Sequence, residues 1–111
     1  MEKVLRLSFN TLNDAFKILE VLSYFGDDLN TLDILHELEE RGIEITPSPR
    51  NALLFHLGAV SCCKLGKEDE ARRQWKTALQ FSPGFNLADG NLKDMDNKVG
   101  NRHAPWAYTI N

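Results

Sequence analysis

Apolar positions recur at a helical period in five segments of the chain, and glycines or prolines separate them. From about Thr11 to Phe25, the residues Ala15, Phe16, Leu19, Leu22 and Phe25 fall on one stripe. Thr11 or Asn13 is placed to cap the first turn, and Gly26 stops the helix before an Asp27-Asp28 turn. A second helix, near Asn30 to Arg41, carries Leu32, Leu35 and Leu38 with Ile34 beside them. His36, Glu37, Glu39 and Glu40 lie mostly off that stripe, and Gly42 is a left-handed terminator. Ile43 to Arg50, with Pro47 and Pro49, reads as a loop that tucks Ile43 and Ile45 beneath it.

A third helix, Asn51 to Leu65, is apolar nearly all round and must be covered on several sides before Gly66 ends it. The fourth, Glu68 to Phe81, opens on Glu68, Asp69 and Glu70, which suit the positive end of a helix. Its stripe is Ala71, Trp75, Ala78 and Leu79. Pro83-Gly84 breaks the chain, and a fifth helix from about Asn86 to Asp96 follows, weakened by Gly90. Ahead of the first helix, Val4, Leu5, Leu7 and Phe9 fit either a short strand or the tail of an earlier helix. Beyond Gly100 the chain reads as irregular, with Trp106, Tyr108 and Ile110 at every second position and Pro105 favouring extended backbone. We expect residues 104–110 to lie extended against the last helices and cover that end, ahead of the alternative that they dock on a partner.

Gly26 and Gly66 lie 40 residues apart. Each closes an apolar helix and precedes a short turn and a second amphipathic helix. That distance is one helical-repeat unit of about 34 residues plus a loop. Within the second unit, Phe55 is followed three, four and seven residues on by Gly58, Ala59 and Cys62, then by Ala71, Trp75, Ala78 and Pro83. Small residues at Ala59, Ala71 and Ala78 allow two helices to approach, Phe55 and Trp75 fill the space around them, and Pro83 cannot continue the helix.

These spacings resemble the tetratricopeptide repeat. Gly58 and Cys62 depart from the family's usual large residue and tyrosine. Ala15, Leu19, Leu22, Thr31, Leu35 and Leu38 make a weaker first match, and Asn91-Leu92 looks like the start of a third. The resemblance implies an all-α fold: antiparallel helix pairs stacked as a short right-handed solenoid. It divides one domain into a repeat over about 12–45, a repeat over about 51–84, and a capping helix and tail over about 85–111.

With 42% hydrophobic residues, 26% charged residues and a net charge of −3, the chain is ordinary for a folded domain and has no basic stripe for nucleic acid. It lacks the long apolar run of a membrane span and the features of a signal peptide. Cys62 and Cys63 are adjacent, which disfavours a disulfide, and they read as small core residues of a reducing, cytoplasmic compartment.

Chemistry-bearing patterns are sparse. His36, His56 and His103 lie in three separate segments, without the spacing of a metal site. The acidic runs sit at helix ends or turns, where solvated charge accounts for them. The serines lack a nucleophile-elbow context, and the thiols have only Lys64 as an adjacent base. We therefore expect no catalysis, cofactor or metal.

The resemblance implies a scaffold that binds a protein or peptide on the concave face formed by the first helix of each pair. The groove positions carried over are Asn13, Phe16, Glu20 and Tyr24; Leu53, His56, Val60, Cys63 and Lys64; and Leu87, Gly90, Asp94 and Lys98. Of these, Phe16, Glu20, Tyr24, His56, Val60, Lys64, Asp94 and Lys98 are the candidate partner-binding residues. Some family members clamp carboxylates with basic residues. The matching positions here, Phe16, Glu20, Leu57, Leu87 and Asn91, include no base, so that mode is not expected. The alternatives are a non-catalytic accessory piece of a larger enzyme and a self-associating module.

Overall fold

Three helices of this chain end in the same way, and the reason is local. Gly26, Gly42 and Gly66 adopt positive φ angles of 72°, 65° and 78°, a region that costs a side-chain-bearing residue energy. Each lets the following amide reach back to a carbonyl of the last helical turn: Asp27 to Leu22 at 2.9 Å, Ile43 to Leu38 at 3.3 Å and Lys67 to Cys62 at 2.8 Å. The glycine amides themselves bond to Ser23, Glu39 and Cys63. Both bonds satisfy carbonyls that the helix leaves without partners, and they turn the chain sharply toward the next helix.

The computed structural model describes residues 9–107. They form α1 (Leu12–Tyr24), α2 (Asp28–Glu40), α3 (Pro49–Lys64), α4 (Glu68–Phe81) and α5 (Asn86–Asp94), then a 3-10 turn at Val99–Asn101, with no strand among the described residues. Val4, Leu5 and Leu7 lie outside that range, as do Tyr108 and Ile110. Phe9 is described. It is buried beneath the Arg41 guanidinium, 4.3 Å from its ring centre, and its carbonyl accepts from Arg41 Nη1 at 2.6 Å.

The boundaries differ from the sequence expectation where capping side chains decide them. The second helix begins at Asp28, two residues before Asn30, because Asp27 accepts from the Asn30 amide at 3.3 Å and so acts as its cap. The third begins at Pro49, inside the stretch read as loop. Ser48 accepts from the Asn51 amide at 3.0 Å, and proline suits the first helical position, whose N–H has no partner within the helix. The fifth ends at Asp94 rather than Asp96. Arg72 and Arg102 each donate to the Met95 carbonyl, at 2.7 and 2.8 Å, and complete the end of that helix.

Each helix packs on the next in sequence, and α1 also packs on α3; the most extensive contact is between α3 and α4. That contact is made of small residues. Ala59, Ala71 and Ala78 are fully buried with Trp75 and Cys62, and Phe55 meets Phe81 edge-on at 5.2 Å between ring centres. A second apolar cluster joins α1, α2 and α3 through Phe16, Leu19, Leu35, Leu38, Leu54 and Leu57. Gly58 lies where α2 presses on α3, and a Cβ there would run into Leu35 Cδ2. This close approach explains glycine at a position where a large residue was expected. Gln74, also beside Gly58, is buried with neither side-chain amide atom hydrogen-bonded. Among the described residues, no helix is long and apolar enough to cross a membrane.

Candidate functional site: a slot holding residues 102–107

After the 3-10 turn the chain carries no regular structure from Arg102 to Pro105. It runs back over α3 and α5, held through the main chain of His103, Trp106 and Ala107 and through the side chains of Arg102 and His103. Asn91, buried on α5, donates from Nδ2 to the Trp106 carbonyl at 2.8 Å and accepts the Trp106 amide on Oδ1 at 2.9 Å. One side-chain amide thus satisfies both main-chain groups of one residue, much as a neighbouring strand would. One helical turn further on, the Asp94 carboxylate accepts the His103 amide at 3.2 Å, and His103 Nε2 lies 3.4 Å from Asp94 Oδ2. His56 of α3 contacts the Ala107 carbonyl through Nε2 at 2.8 Å.

Behind His56, the Trp75 indole N–H donates to Nδ1 at 3.1 Å. An indole nitrogen only donates, so Nδ1 is unprotonated and Nε2 carries the proton given to Ala107. Burial pushes the His56 imidazole below its ordinary value of 6.5, and the carbonyls of Ala107 and Trp106 offset this only in part. The ring also lies 5.0 Å from that of Phe85, tilted against it.

The mouth of the slot is electronegative. Arg102 pairs with Glu68 of α4 and donates to the carbonyls of Met95 at 2.8 Å and Asn97 at 3.0 Å. Within the segment, His103 stacks on Trp106 with ring centres 3.6 Å apart. Trp106 is half-buried, and Ala107 packs against both apolar clusters.

The structure distributes the candidate partner-binding residues unevenly. His56 and Asp94 come together around the 102–107 segment. Phe16 and Val60 are 4% and 2% exposed. His56 is fully buried, with the Ala107 carbonyl against its Nε2. The Arg50 guanidinium covers the Phe16 ring at 4.5 Å, and Val60 lies inside the cluster that joins α3 and α4 to Leu32, Ala88 and Met95. Lys64, Lys98 and Tyr24 are exposed and Glu20 is half-buried. Tyr24 and Glu20 instead line a shallow depression on α1 with Lys17, Val21 and Phe25.

Sequence reasoning missed the role of Asn91. Its signal was present, since asparagine is a poor residue for a helix interior and a buried one needs partners for its amide. Of the two thiols expected in the core, Cys62 lies in it and Cys63 packs against it, partly exposed. Cys62 is fully buried and pushed up to about 12, by burial first and then by the charge of Glu70; burial also raises half-buried Cys63. Among the described residues, no group of three or more His, Cys, Asp or Glu is placed to hold a metal ion. No family model, no curated protein and no solved structure matches this chain.

Proposed function

We propose that the chain is a helical-repeat scaffold of tetratricopeptide type. It binds a protein or peptide partner on the face shared by α1, α3 and α5 and does no chemistry of its own. The observation that carries this reading is the main-chain grip of Asn91 on Trp106: side chains of α5 and α3 hold the amide and carbonyl groups of a returning piece of chain. Support comes from the serial packing of the helices, the shared glycine stops and the small-residue contact between α3 and α4. Antiparallel pairs stacked in a right-handed sense would expose one such face. Burial raises both thiols, which suits structural roles better than nucleophilic ones.

Selection from a random displayed-peptide library against the purified chain, followed by NMR mapping of the selected peptides, tests the reading. Perturbations should concentrate on α1, α3 and α5. A selection that enriches no sequence, or peptides that map only to α2 and α4, would overturn it.

Self-association is the second reading, and one observation favours it. Val21, Tyr24, Phe25 and Leu29 are 56%, 74%, 77% and 62% exposed around the α1–α2 turn, an apolar cluster of the kind that marks contact surfaces. Light scattering across a range of concentrations decides between a monomer and an assembly.

A further inference from the structure

The slot over α3 and α5 grips three residues of its occupant by atoms that every peptide possesses. Asn91 takes the amide and carbonyl of Trp106, His56 takes the carbonyl of Ala107, and Asp94 takes the amide of His103. The side-chain preference is concentrated at one end, where Glu68 and the carbonyls of Met95 and Asn97 surround the Arg102 guanidinium. The aromatic ring of Trp106 is stacked chiefly on His103 of the same segment and stays half-exposed. Such a slot reads main-chain amide and carbonyl groups together with one cation.

We propose that this slot is the binding site for a segment of a partner protein carrying an arginine four residues before the residue whose main chain Asn91 holds, and that residues 102–107 are its internal, displaceable occupant. The inference rests on the scaffold reading above and deepens it by naming the ligand class. The internal segment has the spacing of the ligand, since Arg102 meets the acidic mouth while Trp106 sits on Asn91. Charge complementarity points the same way, with Glu68 and Asp94 flanking the entry. Displacement is feasible because ordering this segment opposes hydrogen bonds that water can replace. The tethered segment nonetheless competes at an effective concentration on the order of millimolar, so an external ligand binds the wild-type chain weakly until the segment is released.

The test uses the full chain and a fluorescent peptide of residues 99–111. Arg102→Glu with His103→Ala loosens the internal segment without touching Asn91, His56 or Trp75. Fluorescence anisotropy should show the peptide binding this double variant at least about tenfold more tightly than wild type. Adding Asn91→Ala should undo that gain. Asn91→Asp, which keeps the shape and loses the donor, should weaken binding in the same direction, and circular dichroism checks that each variant is folded. Equal affinity for wild type and double variant, or indifference to Asn91, overturns the proposal.

Should the variants fail to fold, the wild-type chain labelled with ¹⁵N and mixed with excess unlabelled peptide keeps the question open to decision. The amide and indole signals of Trp106 should move to free-chain positions, and unmoved signals at millimolar peptide overturn the inference. A dimer that exchanges this segment between copies, seen by light scattering and dissolved by the peptide, would assign the slot to a second copy and overturn the partner assignment. Library peptides that bind α1, α3 and α5 while Trp106 stays docked would leave the scaffold function standing and remove only this inference.

Discussion

Trp75 on α4 donates its indole hydrogen to Nδ1 of His56 on α3 at 3.1 Å, with both rings out of contact with water. This bond fixes which nitrogen of His56 faces the 102–107 segment and so couples the core to the slot. Two kinds of damage at Trp75 can therefore be separated.

Trp75→Ala removes a large buried aromatic and should cost about 3–5 kcal/mol, much of the stability expected for a chain of this size. Trp75→Phe keeps most of the bulk but leaves Nδ1 of His56 without its donor, and should cost about 1–3 kcal/mol. Urea unfolding midpoints measure both. A Trp75→Phe chain as stable as wild type would mean that the indole bond contributes nothing.

Stability should fall in mild acid through His56. Its folded value is lowered from 6.5 by burial, so above about 6.5 the neutral ring is present in both states and its contribution is complete. As pH falls below that value the unfolded chain takes up a proton that the folded chain resists. The contribution is then lost down to the lowered folded value, at up to about 1.4 kcal/mol per pH unit. Protonation would also set an imidazolium N–H against the Trp75 N–H. Comparing wild type with His56→Gln at pH about 7.5 and about 5.5 isolates this residue from the others that titrate there. Identical pH dependence in the two chains would exclude it.

Gly58 and Leu35 should prove coupled. Gly58→Ala brings its new methyl into Leu35 Cδ2, and such overpacking costs about 1–3 kcal/mol, against about 1 kcal/mol gained in helix propensity. In a Leu35→Ala background the clash is gone, and the same change should become stabilising. A double-mutant cycle reads the coupling, and additive effects would show that the two helices do not meet there.

Gln74 is a buried amide with no hydrogen-bond partner for either side-chain atom. Gln74→Met preserves the length of the side chain and removes the unpaired groups, and should raise stability by about 1–3 kcal/mol. A lowered melting temperature would show that the amide contributes a favourable interaction.

Native Cys62 should resist thiol reagents. With its thiol pushed up to about 12 and the residue fully buried, almost no thiolate exists at pH about 8, where an ordinary thiol reacts readily. Peptide mapping after brief alkylation should find Cys62 unmodified until urea is added. Rapid labelling of Cys62 in the native chain would overturn its core placement.

Sequence alone determined the five helices, because they follow from neighbours in the chain. Apolar residues such as Leu32, Leu35 and Leu38 repeat at the helical period, and glycines at 26, 42 and 66 supply the backbone angle that ends a helix. The α4 bounds were legible to the residue, since an acidic first turn opens that helix and Pro83 follows it. The α2 and α3 starts were not, because Asp27 and Ser48 compete with neighbouring Asn, Thr and Pro for the capping role and only the formed hydrogen bond decides.

The candidate site was less legible for a different physical reason. Helical spacing says which residues share a face, but not what covers that face. It placed Phe16, His56 and Val60 beside Glu20 and Lys64, yet Arg50 covers Phe16, Val60 is buried in the cluster that joins α3 to its neighbours, and Ala107 lies on His56. These contacts span up to 51 positions in sequence. No local pattern encodes them, because they depend on how far each helix leans on its neighbour and where the returning chain comes to rest. Asn91 and Trp106 each had a visible oddity, a polar residue inside a helix and an aromatic in an irregular tail. Only the packed structure brought the amide of one to the backbone of the other, since burial made an unpaired amide costly and the adjacent chain offered both a donor and an acceptor.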